Sequence, residues 1–300
     1  MSWDHSSRRD ELGEPRSCMA PSHSLGSDVM ANDLGVVVAH YEASREQDRL
    51  VGGLAELELV RTREILRRHL RPPPRRVLDV GGGTGVHAAW LLQDGYRVHL
   101  VDITPGHVDQ ARAALGRRGL TAEVGDARHL AAPDGRFDAV LVLGPLYHLV
   151  ERADRLAALR EARRVVRPAG LVAVAAISRF ASLIDGLARG FLFEPEFRQI
   201  VRRDLADGRH ANPDNRPHWF TTAFFHHPDQ LREEITAAGL EVVDVLGVEG
   251  IAGWLSQLDA HWGREADREA ILEATRLIEA EPTLLGVSAH LLAIATPVDD

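Results

Sequence analysis

The chain has 300 residues, 45% hydrophobic and 26% charged, the make-up of a globular protein, with a formal net charge of −9. All 35 basic residues are arginine, so no lysine amine is available for Schiff-base or pyridoxal phosphate chemistry or for a Walker-type phosphate loop. An acidic total without a basic stripe disfavours a nucleic-acid partner, and no apolar run reaches the ~20 residues that cross a bilayer.

The opening MSWDHSSRRDELGEPRSC has no apolar core for a secretion signal, and Cys18, the single cysteine, has no internal partner. A cytoplasmic setting is therefore expected. Residues 1–32 are rich in Ser, Arg, Asp, Gly and Pro without apolar periodicity, and read as a disordered tail. Residues 33–74 read as a helical cap. Leu54, Leu57, Val60, Ile65 and Leu66 recur at helical spacing, and Pro72, Pro73 and Pro74 end that helix.

From residue 75 to 300 strands and helices alternate. Strands are expected over Arg76–Val80, Tyr96–Val101, Thr121–Val124, Phe137–Leu143 and Leu171–Ile177. Between them the pattern predicts helices over Val86–Gln93, Pro105–Arg117 and Ala153–Val166, and Arg167-Pro168-Ala169-Gly170 reads as a turn. Apolar strands that do not alternate imply a parallel sheet covered on both faces. Residues 178–225 break this rhythm and hold every phenylalanine except Phe137. They read as a mostly helical, lid-like insertion over the carboxyl edge of the sheet. Helix 228–238, strand Leu240–Val248, helix Glu265–Glu279 and strand Val287–Ala295 complete the chain. The fold expected is α/β, a Rossmann-like, doubly wound and mostly parallel seven-stranded sheet.

The segment Val77-Leu78-Asp79-Val80-Gly81-Gly82-Gly83-Thr84-Gly85 carries the most chemistry. A strand that turns sharply into a helix beside a ligand needs glycine for both the turn and the close approach. Gly83-x-Gly85-x-x-Ala88, with Asp102 about 20 residues on, even satisfies a dinucleotide fingerprint. Four features favour another ligand. Asp79 stands where a dinucleotide strand keeps an apolar residue, and Asp102 ends the second strand, where it can hold a ribose diol. Gly125-Asp126-Ala127 adds an acid after the third strand, and Arg167-Pro168-x-Gly170 precedes a fifth strand with two more to follow. Asp102 is equally placed to cap the next helix, and Asp126 to be a turn residue.

Together these residues resemble the class I S-adenosylmethionine-dependent methyltransferases, in the branch that acts on small molecules and quinone rings. The resemblance is close over residues 36–177 and rhythmic over 226–296. It implies S-adenosylmethionine as cofactor, with Asp79, Gly81, Gly83 and Gly85 wrapping its methionine and ribose portions. It further implies Asp102 on the ribose hydroxyls with Ile103 beside the adenine, Asp126 and Ala127 facing the adenine, and Leu143 and Gly144 lining the methyl-donor pocket. Strand four runs into Leu-Gly-Pro-Leu-Tyr-His rather than Asn-Pro-Pro-Tyr, so the signature for DNA and protein-amide methylation is absent.

Methyl transfer from a sulfonium is an in-line displacement, and positioning alone can supply about 7–11 kcal/mol. If the acceptor must lose a proton, Tyr147 and His148 after strand four and His226, with His227 next to it, behind the insertion are the candidate catalytic residues. No metal site is expected, because His226 and His227 diverge in direction and no Cys or His partner has ligand spacing. Tyr41 and Arg45 are placed to reach the cofactor carboxylate or to form a solvated face. The aromatic insertion, as core or lid, suggests a small acceptor that is partly apolar or aromatic, methylated at O, N or C. No nucleic acid or membrane is expected as a partner, and homo-oligomerisation stays open. Two alternatives remain: other chemistry of the same cofactor, such as cyclisation of its aminobutyryl chain, and a non-catalytic cofactor-binding subunit.

Overall fold

The computed structural model describes residues 53–298 except 215, 217 and 218. The tail expected over residues 1–32, and Tyr41 and Arg45, lie outside the described residues. Helix α1 (Gly53–His69) turns Ile65 and Leu66, both fully buried, onto the sheet beside Val77 and Leu100. Full burial of such a side chain is worth about 1.5–3 kcal/mol, so α1 is held by packing more than by helical propensity.

The alternating region follows as β1 (Arg76–Val80), α2 (Val86–Gln93), β2 (Arg97–Asp102), α3 (Pro105–Leu115), β3 (Thr121–Val124), β4 (Phe137–Val142), α4 (Arg152–Val165) and β5 (Val166–Ser178). Then come α5 (Ala181–Arg189), α6 (Pro195–Asp207), β6 (Arg209–His210), β7 (Ala223–His226), α7 (Pro228–Ala237), β8 (Leu240–Gly247), α8 (Leu258–Trp262), α9 (Glu265–Ile278) and β9 (His290–Pro297). The strands β3-β2-β1-β4-β5 are parallel neighbours, and β9 joins β5 antiparallel with β8 outside it. That is the expected doubly wound sheet. Successive residues of β1 serve opposite faces. Leu78 and Val80 pack with Leu159 and Ile235 of α4 and α7, while Val77 packs with Ala88 and Val108 of α2 and α3.

Two expectations need correction. The sheet has nine strands rather than seven, because β6 and β7 add a short antiparallel pair. Ile177 and Ser178 of β5 pair in parallel with Phe225 and His226, while Ile177 also pairs with His290 of β9. Since β9 takes one edge of β5, β7 occupies the other, past the end of β4. Two- and four-residue strands are too short to show a period against their aromatic surroundings. The second correction concerns residues 167–170, which lie inside β5 as a bulge. The register jumps from Phe137 opposite Val166 to Ala139 opposite Leu171, and Ala169 takes a positive φ of 54°. The bulge absorbs a sequence that reads as a turn, and the strand direction survives it.

Candidate active site

The strand order reverses between β1 and β4, so the loops after these strands part and leave a crevice at their carboxyl ends. The glycine turn occupies one side of it. Gly81 has a φ of 69°, and a Cβ there would stand 2.5 Å from Cδ of Pro145 in the loop after β4. Gly83, at a φ of 55°, has only the His107 ring at 4.0 Å and faces open space. Gly85 does not line the crevice. It precedes α2 at a φ of 91°, where a Cβ would meet Leu115 at 2.8 Å, so its part is to seat that helix.

Asp79, Gly81, Gly83, Asp102, Ile103, Asp126, Ala127, Leu143 and Gly144 all line this one cavity, from four strand ends. Asp79 shares the Val77 face of β1 and is buried, with neither carboxylate oxygen hydrogen bonded. Burial, aided by the nearby charge of Asp102, pushes its carboxyl up to about 7. Asp102 is the opposite case. It accepts the backbone N–H of Gly83 and of Thr104, each at 2.8 Å, and the His107 ring stands 3.6 Å away. Burial raises its carboxyl, but His107 and the two N–H groups outweigh burial and hold it below the usual range. Asp126 is clamped by Arg128, whose Nη2 donates at 2.6 Å and whose Nε lies 3.1 Å from both oxygens. The Arg128 backbone N–H adds a bond at 2.9 Å.

These residues fit S-adenosylmethionine on their own geometry. A buried carboxylate without a donor calls for a cationic partner, and the open side of Gly83 is a cradle that a side chain would fill.

A second cavity, of about 430 Å³, adjoins the first and shares Ala55 and Glu58 of α1 with it. Phe191, Phe197, Trp219, Phe220 and Phe225 give it an aromatic wall, drawn from the insertion and β7. Phe197 packs at a tilt against Trp219, ring centroids 5.1 Å apart, so the same rings are core and cavity lining at once. Glu58, Asp185 and Asp259 are its acidic residues; burial raises the Asp185 carboxyl, and Arg189, 2.8 Å away, draws it part of the way back.

Of the catalytic candidates, Tyr147 and His148 line the first cavity and approach Phe220 with ring centroids at 6.5 and 6.1 Å. His226 is not brought there. It is wholly buried away from both cavities, with Nε2 3.3 Å from Glu234 in a cluster with Arg155. Strand alternation explains the miss, since Phe225 faces the second cavity and His226 the opposite side. Sequence reasoning also missed His107 in the first turn of α3, and Glu58, Glu249 and His290. The last three meet from widely separated positions, and only the folded chain shows it. His107 had a usable signal, being the one histidine in the helix turn next to the strand-two acid.

A family model for a methyltransferase domain matches residues 77–170. The ubiquinone/menaquinone biosynthesis C-methyltransferase of Cupriavidus pinatubonensis is 32% identical over 206 residues, 66% of this chain and 79% of that one. The ubiquinone biosynthesis O-methyltransferase of Azorhizobium caulinodans is 27% identical over 247 residues, 80% of this chain and 81% of that one. The Burkholderia thailandensis 1,6-didemethyltoxoflavin N1-methyltransferase was solved with 1,6-didemethyltoxoflavin and S-adenosylhomocysteine. It shares the fold at a TM-score of 0.56 and 19% identity, over 94% of each chain. Fold and cavity define a class I S-adenosylmethionine-dependent methyltransferase, and the chain belongs to that family. It is an enzyme that takes S-adenosylmethionine as its cofactor.

Proposed function

We propose that this methyltransferase acts on a small, partly apolar or aromatic metabolite, at O, N or C. The observation that carries this reading is the aromatic cavity beside the glycine turn, joined to it along Ala55 and Glu58. Its size matches one ring system with substituents, and its wall offers stacking faces together with the acids Glu58, Asp185 and Asp259. No helix among the described residues is long and apolar enough to cross a membrane. The reading places the enzyme in the cytoplasm, acting without nucleic acid.

In this reading Asp102 takes the ribose hydroxyls with its remaining lone pairs, and Asp79 meets the ammonium of the methionine portion. Gly81 and Gly83 admit the cofactor's backbone-close part, while Ile103, Ala127, Leu143 and Gly144 form its apolar walls. Asp126, already engaged by Arg128, contributes less to the adenine than its position suggests. The cofactor supplies an electrophilic methyl group. The protein's work is to exclude water and to align the acceptor along the Glu58 boundary, with Tyr147 and His148 also on the wall of the first cavity.

The test is incubation with S-adenosylmethionine and a panel of phenols, arylamines and quinols, with products read by mass spectrometry. S-adenosylhomocysteine together with a methylated ring is expected. Methylthioadenosine in its place would mean cyclisation chemistry and would end this reading.

A further inference from the structure

We propose that the acceptor is an aromatic amine, methylated at nitrogen, and that Glu58 stabilises the charge and then takes the proton of that nitrogen. This rests on the small-molecule reading above and fixes the attacked atom within it.

Glu58 lines both cavities, so it stands at the junction that the methyl group has to cross. Helix α1 brings it there, since Ala55, Glu58, Leu59 and Thr62 share one helical face along the first cavity. The Glu58 side chain is 29% exposed, and among the described residues its one ion-pair contact is Nδ1 of His290, 3.9 Å away. That ring is already engaged, because the same Nδ1 lies 2.5 Å from Oε1 of the buried Glu249. The other bases of the second cavity are matched in the same way. Arg189 pairs with Asp185 at 2.8 Å, and His210 with the buried Asp204 at 2.7 Å. Asp259 is met by a backbone N–H, that of Gly53, rather than by a base. Each base described on this wall thus has its own carboxylate, and Glu58 and Asp259 are left over.

An uncharged group points to a polar ligand in the same place. Ser182, one turn before Asp185 on α5, is only 6% exposed and lines the second cavity. Its Oγ is buried without a hydrogen-bond partner. Such a hydroxyl is costly to leave alone, and a polar substituent on a bound ring would satisfy it.

The sign of the charge selects the attacked atom. A phenol, or a ring carbon activated by a phenolate, attacks as an anion, and an acidic wall opposes that form. An aromatic amine is neutral at neutral pH and attacks as it is. Its nitrogen lone pair forms the bond to the methyl carbon while the carbon–sulfur bond breaks and that electron pair goes to sulfur. Positive charge therefore moves from sulfur to nitrogen, and Glu58 stands where it arrives. A fixed opposite charge at that point lowers the barrier, and the aromatic wall favours the same cation. The N-methylarylammonium so formed gives its proton to the Glu58 carboxylate, which passes it to water.

The charge is tested without turnover by two probes of one shape, 3-(trimethylammonio)phenol and 3-tert-butylphenol. In calorimetric titration of the S-adenosylhomocysteine complex, the cation should bind at least tenfold more tightly. Glu58→Gln keeps the shape of the side chain and should remove most of that preference, with S-adenosylhomocysteine affinity and melting temperature unchanged. Turnover is then followed with 4-methoxyaniline, aniline and 4-chloroaniline, and with the three phenols that carry the same substituents. The anilines should give N-methyl products and exceed their matched phenols at least a hundredfold in kcat/KM. Glu58→Gln should lose on the order of a hundredfold in kcat with the anilines, and Glu58→Asp should recover part of it.

Equal binding of the two probes, or the same preference in parent and Glu58→Gln, would overturn the proposal. So would methylation at oxygen or carbon without methylation at nitrogen, which would leave the small-molecule reading standing. Turnover abolished by EDTA and restored by Mg²⁺ would make Glu58 a metal ligand and also overturn it, since ligand atoms of Glu58, Glu249 and His290 lie within 4.8 Å of one another. Neither probe bound and no ring compound methylated would end the small-molecule reading, and this proposal with it.

Discussion

The backbone N–H of Gly83 is hydrogen bonded to the carboxylate of Asp102 at 2.8 Å, which ties the turn after β1 to the end of β2. The acid therefore shapes the cradle as well as facing it. Asp102→Ala should weaken S-adenosylhomocysteine binding at least tenfold by calorimetry. It should also lower stability by about 1–3 kcal/mol, because the N–H groups of Gly83 and Thr104 lose their acceptor. Unchanged affinity would leave Asp102 as a brace only.

Asp79 sets a proton balance. The folded protein holds this carboxyl protonated up to about 7, whereas an unfolded aspartate ionises near pH 4. Its contribution to ligand-free stability is therefore lost as pH rises between those values. A cationic ammonium arriving beside it should expel the proton. At about pH 6 the binding enthalpy of S-adenosylhomocysteine should vary with the ionisation enthalpy of the buffer, reporting release of up to one proton. Asp79→Asn should abolish that dependence. No proton release in the parent would move the ammonium elsewhere.

Arg155 bridges helices α4 and α7. It donates to Glu234 at 2.8 and 2.7 Å and lies 3.5 Å over the Phe224 ring, with His226 on the same acid. Burial works against the Glu234 carboxylate, but Arg155 and His226 prevail and hold it at about 2. The stability this provides is present above the ordinary glutamate range and is lost as pH falls toward that value. Arg155→Met strands a buried anion and should cost about 3–5 kcal/mol in urea denaturation at neutral pH, and less in acid. Equal loss at both would assign the effect to packing alone.

The two inner glycines should respond differently to alanine. Each has a positive φ, which costs a side chain about 1–2 kcal/mol. At Gly81 the new methyl also meets Pro145, whereas at Gly83 it finds open space. Gly81→Ala should therefore lower the melting temperature more, by displacing the loop that carries Leu146–His148. A smaller effect at Gly81 would mean that this loop yields freely.

The parallel strands and their helices were legible because burial on both faces makes each strand a plain apolar run, as in Val77–Val80 and Phe137–Val142. Asp79 stood out for the same reason, as a charge inside such a run. The residues that meet in the first cavity were legible because they sit at strand ends that adjoin in the sheet. What stayed hidden depends on contacts across long loops. Glu249 and His290 meet only because β8 pairs with β9, and β7 is too short to announce that Phe225 and His226 face opposite ways. Arg128, two residues from Asp126, was in view all along, but its closure on that acid is a matter of side-chain geometry.

The insertion leaves the sheet after Ser178 and comes back to it at Phe225 and His226, which pair with Ile177 and Ser178. Its two ends are therefore neighbours. A segment whose ends meet can be exchanged for one of different length or composition while the chain on either side keeps its course. The glycine turn and the acids beside it lie outside that closed segment, so an exchange of residues 179–222 would leave their strand ends in place. Divergence among enzymes of this topology is expected to gather in that segment, so that a new acceptor is acquired by replacing one closed segment while the donor machinery is inherited unaltered.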